Sequence, residues 1–133
     1  MILHFRYITL LAVVMLSFGA YSASAEEESF CYVTAYSYNL RSAYHTPIFM
    51  QMSRGKSFNN EQYVADMKQI RKLEDAFQAH LKRKYKINSS FFVFSAVTGF
   101  KNKAFAERRL NLELVDLQTK GLKTQVVNDF KAD

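Results

Sequence analysis

The clearest pattern in the chain is the alternation from Phe30 to Tyr38. Phe30, Tyr32, Thr34, Tyr36 and Tyr38 share one face, and Cys31, Val33, Ala35 and Ser37 share the other. Successive side chains of a strand point to opposite sides, so this is a β-strand with a small face and a tyrosine face. The small face suits close packing beneath a helix, while the tyrosine face can keep its hydroxyls near water. Asn39 to Ala43 reads as a turn and Tyr44 to Met52 as a second strand, making a hairpin. Pro47 has no amide hydrogen to give to a ladder, which places the second strand at an edge.

Helical periods follow. From about Asn60 to Lys84, the residues Val64, Met67, Ile70, Leu73, Phe77 and Leu81 recur at steps of three and four and form one apolar stripe. Asn59 and Gln62 fit a capping box, with Phe58 and Tyr63 placed as a hydrophobic staple. Glu61 and Asp66 come early and Lys82, Arg83, Lys84 and Lys86 late, the order that the helix dipole favours. A second helix, capped by Asn102, runs to about Lys120 and stops at Gly121, with Leu117 and Leu122 at the Schellman contact positions. Its core stripe is Ala106, Leu110, Leu114 and Leu117. Phe105, Leu112 and Val115 form a second apolar face, set apart by Arg109, Asp116 and Lys120.

Between the helices, Phe91 to Val97 carries aromatic or branched side chains on both faces, which predicts a central strand covered on both sides. Leu122 to Val127 alternates again as a short last strand. The expected fold is α+β: a two-layer sandwich of ββαβαβ order, with a four-stranded mixed sheet and both helices on one face. The last helix should link parallel strands by a right-handed crossover. In this arrangement one face of the central strand lacks a cover. The tyrosine face folding over, the tail around Phe130 or a second molecule would have to supply it.

Charge and the amino-terminal pattern change the picture in one respect. Met1 to Tyr7 carries Arg6 and no acid, Ile8 to Phe18 is apolar, and Ala23-Ser24-Ala25 stands before Glu26, Glu27 and Glu28. This is the pattern of a cleaved secretory leader over residues 1–25, leaving a single domain over 26–133. The apolar core is shorter than the roughly 20 residues that a spanning helix needs. The expected location is the periplasm or the extracellular space, with no transmembrane segment after cleavage. The chain has a formal net charge of +6, to which Arg6 contributes one. Outside the cytosol that excess points to anionic glycans, an envelope surface or acidic proteins rather than to nucleic acid. Cys31 is the only cysteine, so no internal disulfide forms and the core must hold itself.

Candidate chemistry is sparse. Phosphate-loop, dinucleotide, zinc-protease, paired-cysteine, nucleophile-elbow and calcium-loop motifs are all missing, so no cofactor or metal is expected. A thiol near an imidazole can serve as a nucleophile, which makes Cys31 with His45 the only dyad to weigh. Hairpin register pairs Cys31 near Phe49 to Ser53 and leaves His45 several pairs away. His80 reads as a boundary residue, Glu74 and Asp75 as surface charge, and Asn88-Ser89-Ser90 as a glycosylation sequon that matters only in a eukaryotic secretory pathway.

Phe92-Val93-Phe94, Gly99-Phe100, Ala104, Ala106-Glu107, Leu110, Leu117 and Lys120-Gly121-Leu122 together resemble one half of a SPOR domain, the bacterial module that binds peptidoglycan glycan strands. The first half of this chain departs from that family, because a hairpin precedes the first helix. The resemblance implies glycan binding as an alternative. The leading expectation is a non-catalytic domain that binds another protein or itself through Tyr32, Tyr36, Tyr38 and Tyr44 on the sheet and Phe105, Leu112 and Val115 on the helix. Lys82, Arg83, Lys84 and Lys86 are the candidate anion contacts. A small hydrolase using Cys31 is the remaining alternative.

Overall fold

The computed structural model describes residues 26–132, so the expected leader, residues 1–25, lies outside the described residues. The elements are β1 (Glu27–Ser37), β2 (Ser42–His45), β3 (Phe49–Ser53), α1 (Met67–Lys84), a 3-10 turn (Ser89–Phe91), β4 (Val93–Phe100), α2 (Lys103–Thr119) and β5 (Lys123–Val126). The fold is α+β, built on a mixed sheet with two helices, as the sequence predicts. The sheet has five strands rather than four, because the expected second strand is broken in two.

β1 is the centre of the sheet. β2 and β3 pair with its two halves along one edge, β4 pairs along the other edge, and β5 lies parallel to β2 on the outside. The run expected to be central, Phe91 to Val97, therefore forms an edge strand preceded by the 3-10 turn, and Phe91 and Val93 are half exposed. The expected register holds at its most specific point, where Cys31 pairs with Phe49.

The break between β2 and β3 has a local cause. Pro47 cannot donate to the ladder, and Thr46 does the pairing with both backbone and side chain. Thr46 N donates to Val33 O at 2.9 Å, and Val33 N donates to Thr46 Oγ1 at 3.0 Å. The buried threonine hydroxyl thus takes the place of a missing carbonyl partner.

The helices lie on opposite faces of the sheet, which corrects the expectation of two layers with both helices on one side. Cys31, Val33, Ala35 and Ala96 pack against Leu73, Phe77 and Leu81 of α1. On the other face Tyr32 and Phe100 pack against Ala106 and Leu110 of α2, and Ala43 packs against Leu117 and Leu122. The assignment follows from side-chain size. Small residues on β1 let the bulky stripe of α1 approach, and large rings on the other face call for the Ala106 gap in α2. The second cover of the sheet is therefore α2 itself. Phe130 adds to the α1 side, with ring contacts to Phe77, Phe49 and His80.

β4 and β5 run parallel, but β1 and β2 stand between them, so α2 crosses the sheet obliquely. Its ends follow the sequence closely. Asn102 Oδ1 accepts from Phe105 N at 3.0 Å, and the helix closes with Leu122 N donating to Leu117 O and Gly121 N to Gln118 O, both at 3.0 Å. Gly121 has φ +87, the left-handed conformation that the Schellman motif places there.

The start of α1 departs from expectation. The cap is Asp66, whose carboxylate accepts from Lys68 N, seven residues after the predicted Asn59. Asn59 instead accepts from Glu61 N and Gln62 N within a tight loop. That loop extends the sheet at the end of β4: Tyr63 N donates to Gly99 O and Lys101 N to Glu61 O, both at 2.8 Å. Phe58 is largely exposed, so no staple forms. A bulge in β4 brings Gly99 to φ +82, with Tyr63 O only 3.1 Å from where a Cβ would stand. The outer edge of β4 is also guarded by Glu74, whose carboxylate accepts from Ala96 N at 3.1 Å. Glu74 is therefore an edge cap and not idle surface charge, a common way to keep a free strand from pairing.

Candidate functional site

The oblique path of α2 shapes the site. Its carboxy-terminal half leans toward β2 and β5 and leaves β4 beside an open cleft of about 300 Å³. Thr34, Tyr36 and Ser95 form the floor, Tyr38 the upper lip, and Glu113, Asp116, Leu117 and Lys120 the wall. The alternation of β1 puts Thr34, Tyr36 and Tyr38 on this side, and pairing of Thr34 with Ser95 extends the floor onto β4. Thr34 Oγ1 donates to Ser95 O at 3.4 Å. Tyr36 and Tyr38 meet edge to face, with ring centroids 5.5 Å apart.

The electrostatics are mixed within a small volume. Lys120 Nζ lies 2.9 Å from Asp116 Oδ2 and 5.9 Å from the centre of the Tyr38 ring. Hydrogen bonding to Asp116 holds the Lys120 ammonium above its ordinary range. Burial lifts the Glu113 carboxyl above the usual carboxylate range, opposed by the Tyr32 hydroxyl and the Arg109 guanidinium. The Tyr32 hydroxyl is buried without a hydrogen-bond partner of normal geometry, and burial, reinforced by the Glu113 charge, raises its pKa. A cleft lined by hydroxyls, two carboxylates, an ammonium and two aromatic rings can bind polar groups and offers no nucleophile paired with a base.

The residues singled out by sequence are divided among several places. Tyr36 and Tyr38 line the cleft, and Tyr38 is half exposed. Tyr32 is fully buried against Phe100 and is not available to a partner. Tyr44 lies on the opposite face, against Tyr85 and Phe92. Phe105 is half-buried beside the Tyr32 cluster. Leu112 and Val115 remain exposed on the outer side of α2. Lys82, Arg83, Lys84 and Lys86 are exposed at the end of α1, on the face away from the cleft. Glu113 and Ser95 were missed. Glu113 has a signal, because it stands on the helix flank between Leu110 and Leu117, where a polar side chain borders the core. Ser95 sits in an apolar run and has none.

Cys31 and His45 do not come together. Cys31 faces α1, whereas His45 pairs with Thr34 on the α2 side. The thiol is fully buried, donates to Phe49 O at 3.5 Å, and is pushed by burial up to about 12, which leaves it protonated and inert. Among the described residues no group of three or more His, Cys, Asp or Glu side chains could hold a metal, and no helix is long and apolar enough to cross a membrane.

A larger hollow of about 530 Å³ lies at the other end of the sheet, lined by residues such as Met52, Arg54, Val64 and Met67. Several of its polar groups are already engaged within the domain. Asp66 caps α1 and meets Arg54 at 3.8 Å, and Gln69 Nε2 donates to Met52 O at 3.2 Å. The cleft is the better candidate despite its smaller size, because Tyr36 and Tyr38 line it while the lining of the hollow holds no aromatic ring.

His80 is a buried anchor rather than a boundary residue. Its Nε2 lies 3.0 Å from Asp129 Oδ1, and its ring touches Tyr85 and Phe130. This contact pins the tail over α1. Hydrogen bonding to His80 holds the Asp129 carboxyl below the usual range. A depressed carboxylate contributes stability that is present above its unfolded pKa and lost as pH falls through its folded value. Asp129→Asn is therefore expected to lower the thermal midpoint at pH 7, with the gap closing below about pH 4, where the reference carboxylate itself is protonated. A gap that persisted unchanged in acid would show that the charge of Asp129 plays no part.

Comparison of the chain with protein families, with characterised proteins and with solved structures finds no match. The pattern from Phe92 to Leu122 accordingly stands as a β4–α2–β5 arrangement without family support.

Proposed function

We propose that this chain is an exported, non-catalytic binding domain whose protein partner, or second copy, sits in the cleft between α2 and β4. The observation that carries this reading is the convergence of accessible Tyr36 and Tyr38 with Glu113, Asp116 and Lys120, bordered by exposed apolar residues on both sides. Val93 stands on the β4 side, and Leu112 and Val115 stand on the outer side of α2. Aromatic side chains are enriched at protein interfaces, and buried apolar anchors carry much of their energy. Leu112 and Val115 touch little in the domain, so they can be changed without loss of fold.

The test is quantitative affinity capture from the host envelope, with size-exclusion and light scattering of the isolated protein alongside. The wild type should recover one defined partner or elute as a dimer. The double variant Tyr38→Ala, Leu112→Asp should lose that species by tenfold or more, since interface hot spots cost upward of about 1 kcal/mol each. The same recovery from both proteins would place the contact elsewhere.

One observation favours glycan binding as a second reading. Hydroxyls, carboxylates and tyrosine rings around one cleft are groups that bind a polyol and its apolar face. Pelleting of the protein with peptidoglycan sacculi, abolished by Tyr38→Ala, would favour it over a protein partner. The buried thiol of Cys31 gives the hydrolase alternative no support.

A further inference from the structure

The outer face of α1 is a separate feature that the cleft does not explain. Lys68, Arg71, Lys72, Lys82 and Arg83 are all exposed. At 100° per residue they fall within an arc of about 120°, opposite the buried Leu73, Phe77 and His80. They extend over about 22 Å of helix at 1.5 Å per residue. Lys84 belongs to the last turn and Lys86 continues the charge just past it.

Carboxylates are scarce on this face. Glu74 is turned inward onto Ala96 N, which leaves Asp75 as the acid among these cations. Among the described residues none of the seven basic side chains named above makes an ion pair, whereas Arg54, Lys103, Arg108 and Lys120 elsewhere do. Unpaired cations gathered on one side of a helix raise the local potential far above that of the same charges scattered or neutralised. The arc holds no exposed large apolar side chain, Met67 of the first turn lying just outside it, so it is not built to insert into a hydrocarbon layer. It is a broad convex surface without a groove for a single strand of polymer. A shallow recess on its flank, about 250 Å³, is lined by Lys68, Lys72, Gln51, Gln69 and Asp66 among others. It presents two ammonium groups and two amides with one carboxylate.

We propose that the solvent face of α1 docks the protein, by charge alone, on a bilayer surface rich in anionic phospholipid headgroups. Docking through α1 leaves the cleft on the opposite face of the sheet free, so the two surfaces can be occupied together. This inference does not depend on the cleft reading.

Co-sedimentation with vesicles tests it. The protein should bind vesicles of phosphatidylglycerol and phosphatidylcholine mixed in equal parts at 0.05 M salt, fail to bind pure phosphatidylcholine, and dissociate by 0.5 M salt. The triple variant Arg71→Gln, Lys72→Gln, Lys82→Gln should bind the anionic vesicles on the order of a hundredfold more weakly, given the contribution of each basic residue near such a surface. The control variant Lys101→Gln, Lys103→Gln should bind as the wild type, with matching circular dichroism for all three proteins. Equal affinity of the triple variant, equal binding to neutral vesicles, or no binding to anionic vesicles would each overturn the proposal. So would binding to soluble polyphosphate without binding to vesicles.

Discussion

Phe77→Ala is expected to lower the unfolding free energy by about 3–5 kcal/mol, the largest loss of any single truncation considered. Phe77 is fully buried at the middle of α1 and makes edge-to-face ring contacts with Phe94 at 6.5 Å and Phe130 at 5.2 Å. Removing the ring opens a cavity between the helix, the β1–β4 pair and the tail, and none of these can collapse without dragging the others. Single domains are stable by only about 5–15 kcal/mol, so the variant should be near the limit of folding. Equilibrium denaturation in urea measures the loss. A change below about 1 kcal/mol would mean that α1 does not seat on the sheet through this ring, since buried Phe truncations cost several times more.

Thr46→Val should cost about 1–3 kcal/mol, although it is isosteric and more apolar. The threonine hydroxyl accepts from Val33 N at 3.0 Å in the centre of the sheet, and valine leaves that buried amide without a partner. Thr46→Ser keeps the oxygen and gives up one methyl group, so its loss should stay near 0.8 kcal/mol. The order Val worse than Ser separates the hydrogen bond from packing, because a purely hydrophobic role would rank them the other way. The same urea titration decides it.

These two sites mark what could and could not be read in advance. The alternation of β1, its register with Phe49 and the complete capping of α2 at Asn102 and Gly121 depend on neighbouring residues, and local chemistry specifies them. The distribution of helices between faces depends on a different quantity. A helical stripe shows which residues of a helix are buried but not which side of a sheet buries them. The side was still encoded, in the contrast between the Cys31, Val33, Ala35 face and the Tyr32, Tyr36 face, but only volume matching between β1 and each helix reveals it. An uncovered face follows only when both helices are placed on one side; with α2 on the tyrosine face both sides of the sheet are covered.

The broken strand and the late start of α1 have a common physical cause. In each place a side chain competes with the backbone for a hydrogen bond: Thr46 for Val33, and Asn59 for Glu61 and Gln62. Such competition favours turns and caps over regular ladders, and its outcome depends on partners distant in sequence, here β1 and the bulge at Gly99. The candidate site was legible in part for the same reason. Tyr36 and Tyr38 are given by alternation, but Ser95 and Glu113 join them only through the pairing of β4 with β1 and the oblique path of α2. Tyr32 shares the alternation and is sealed beneath α2, so face alone does not separate a cleft-lining residue from a core residue.

Partner contact at the tyrosine cleft can be tested by site-specific photo-crosslinking in the producing cell. A benzophenone side chain placed at Tyr38, at Leu112 and, as a control, at Met50 samples three exposed positions. Tyr38 is 52% exposed and Met50 is 51%, so accessibility does not distinguish the first from the control. One discrete adduct is expected from positions 38 and 112 and none from position 50. Adducts of equal yield from all three, or an adduct from Met50 alone, would contradict it.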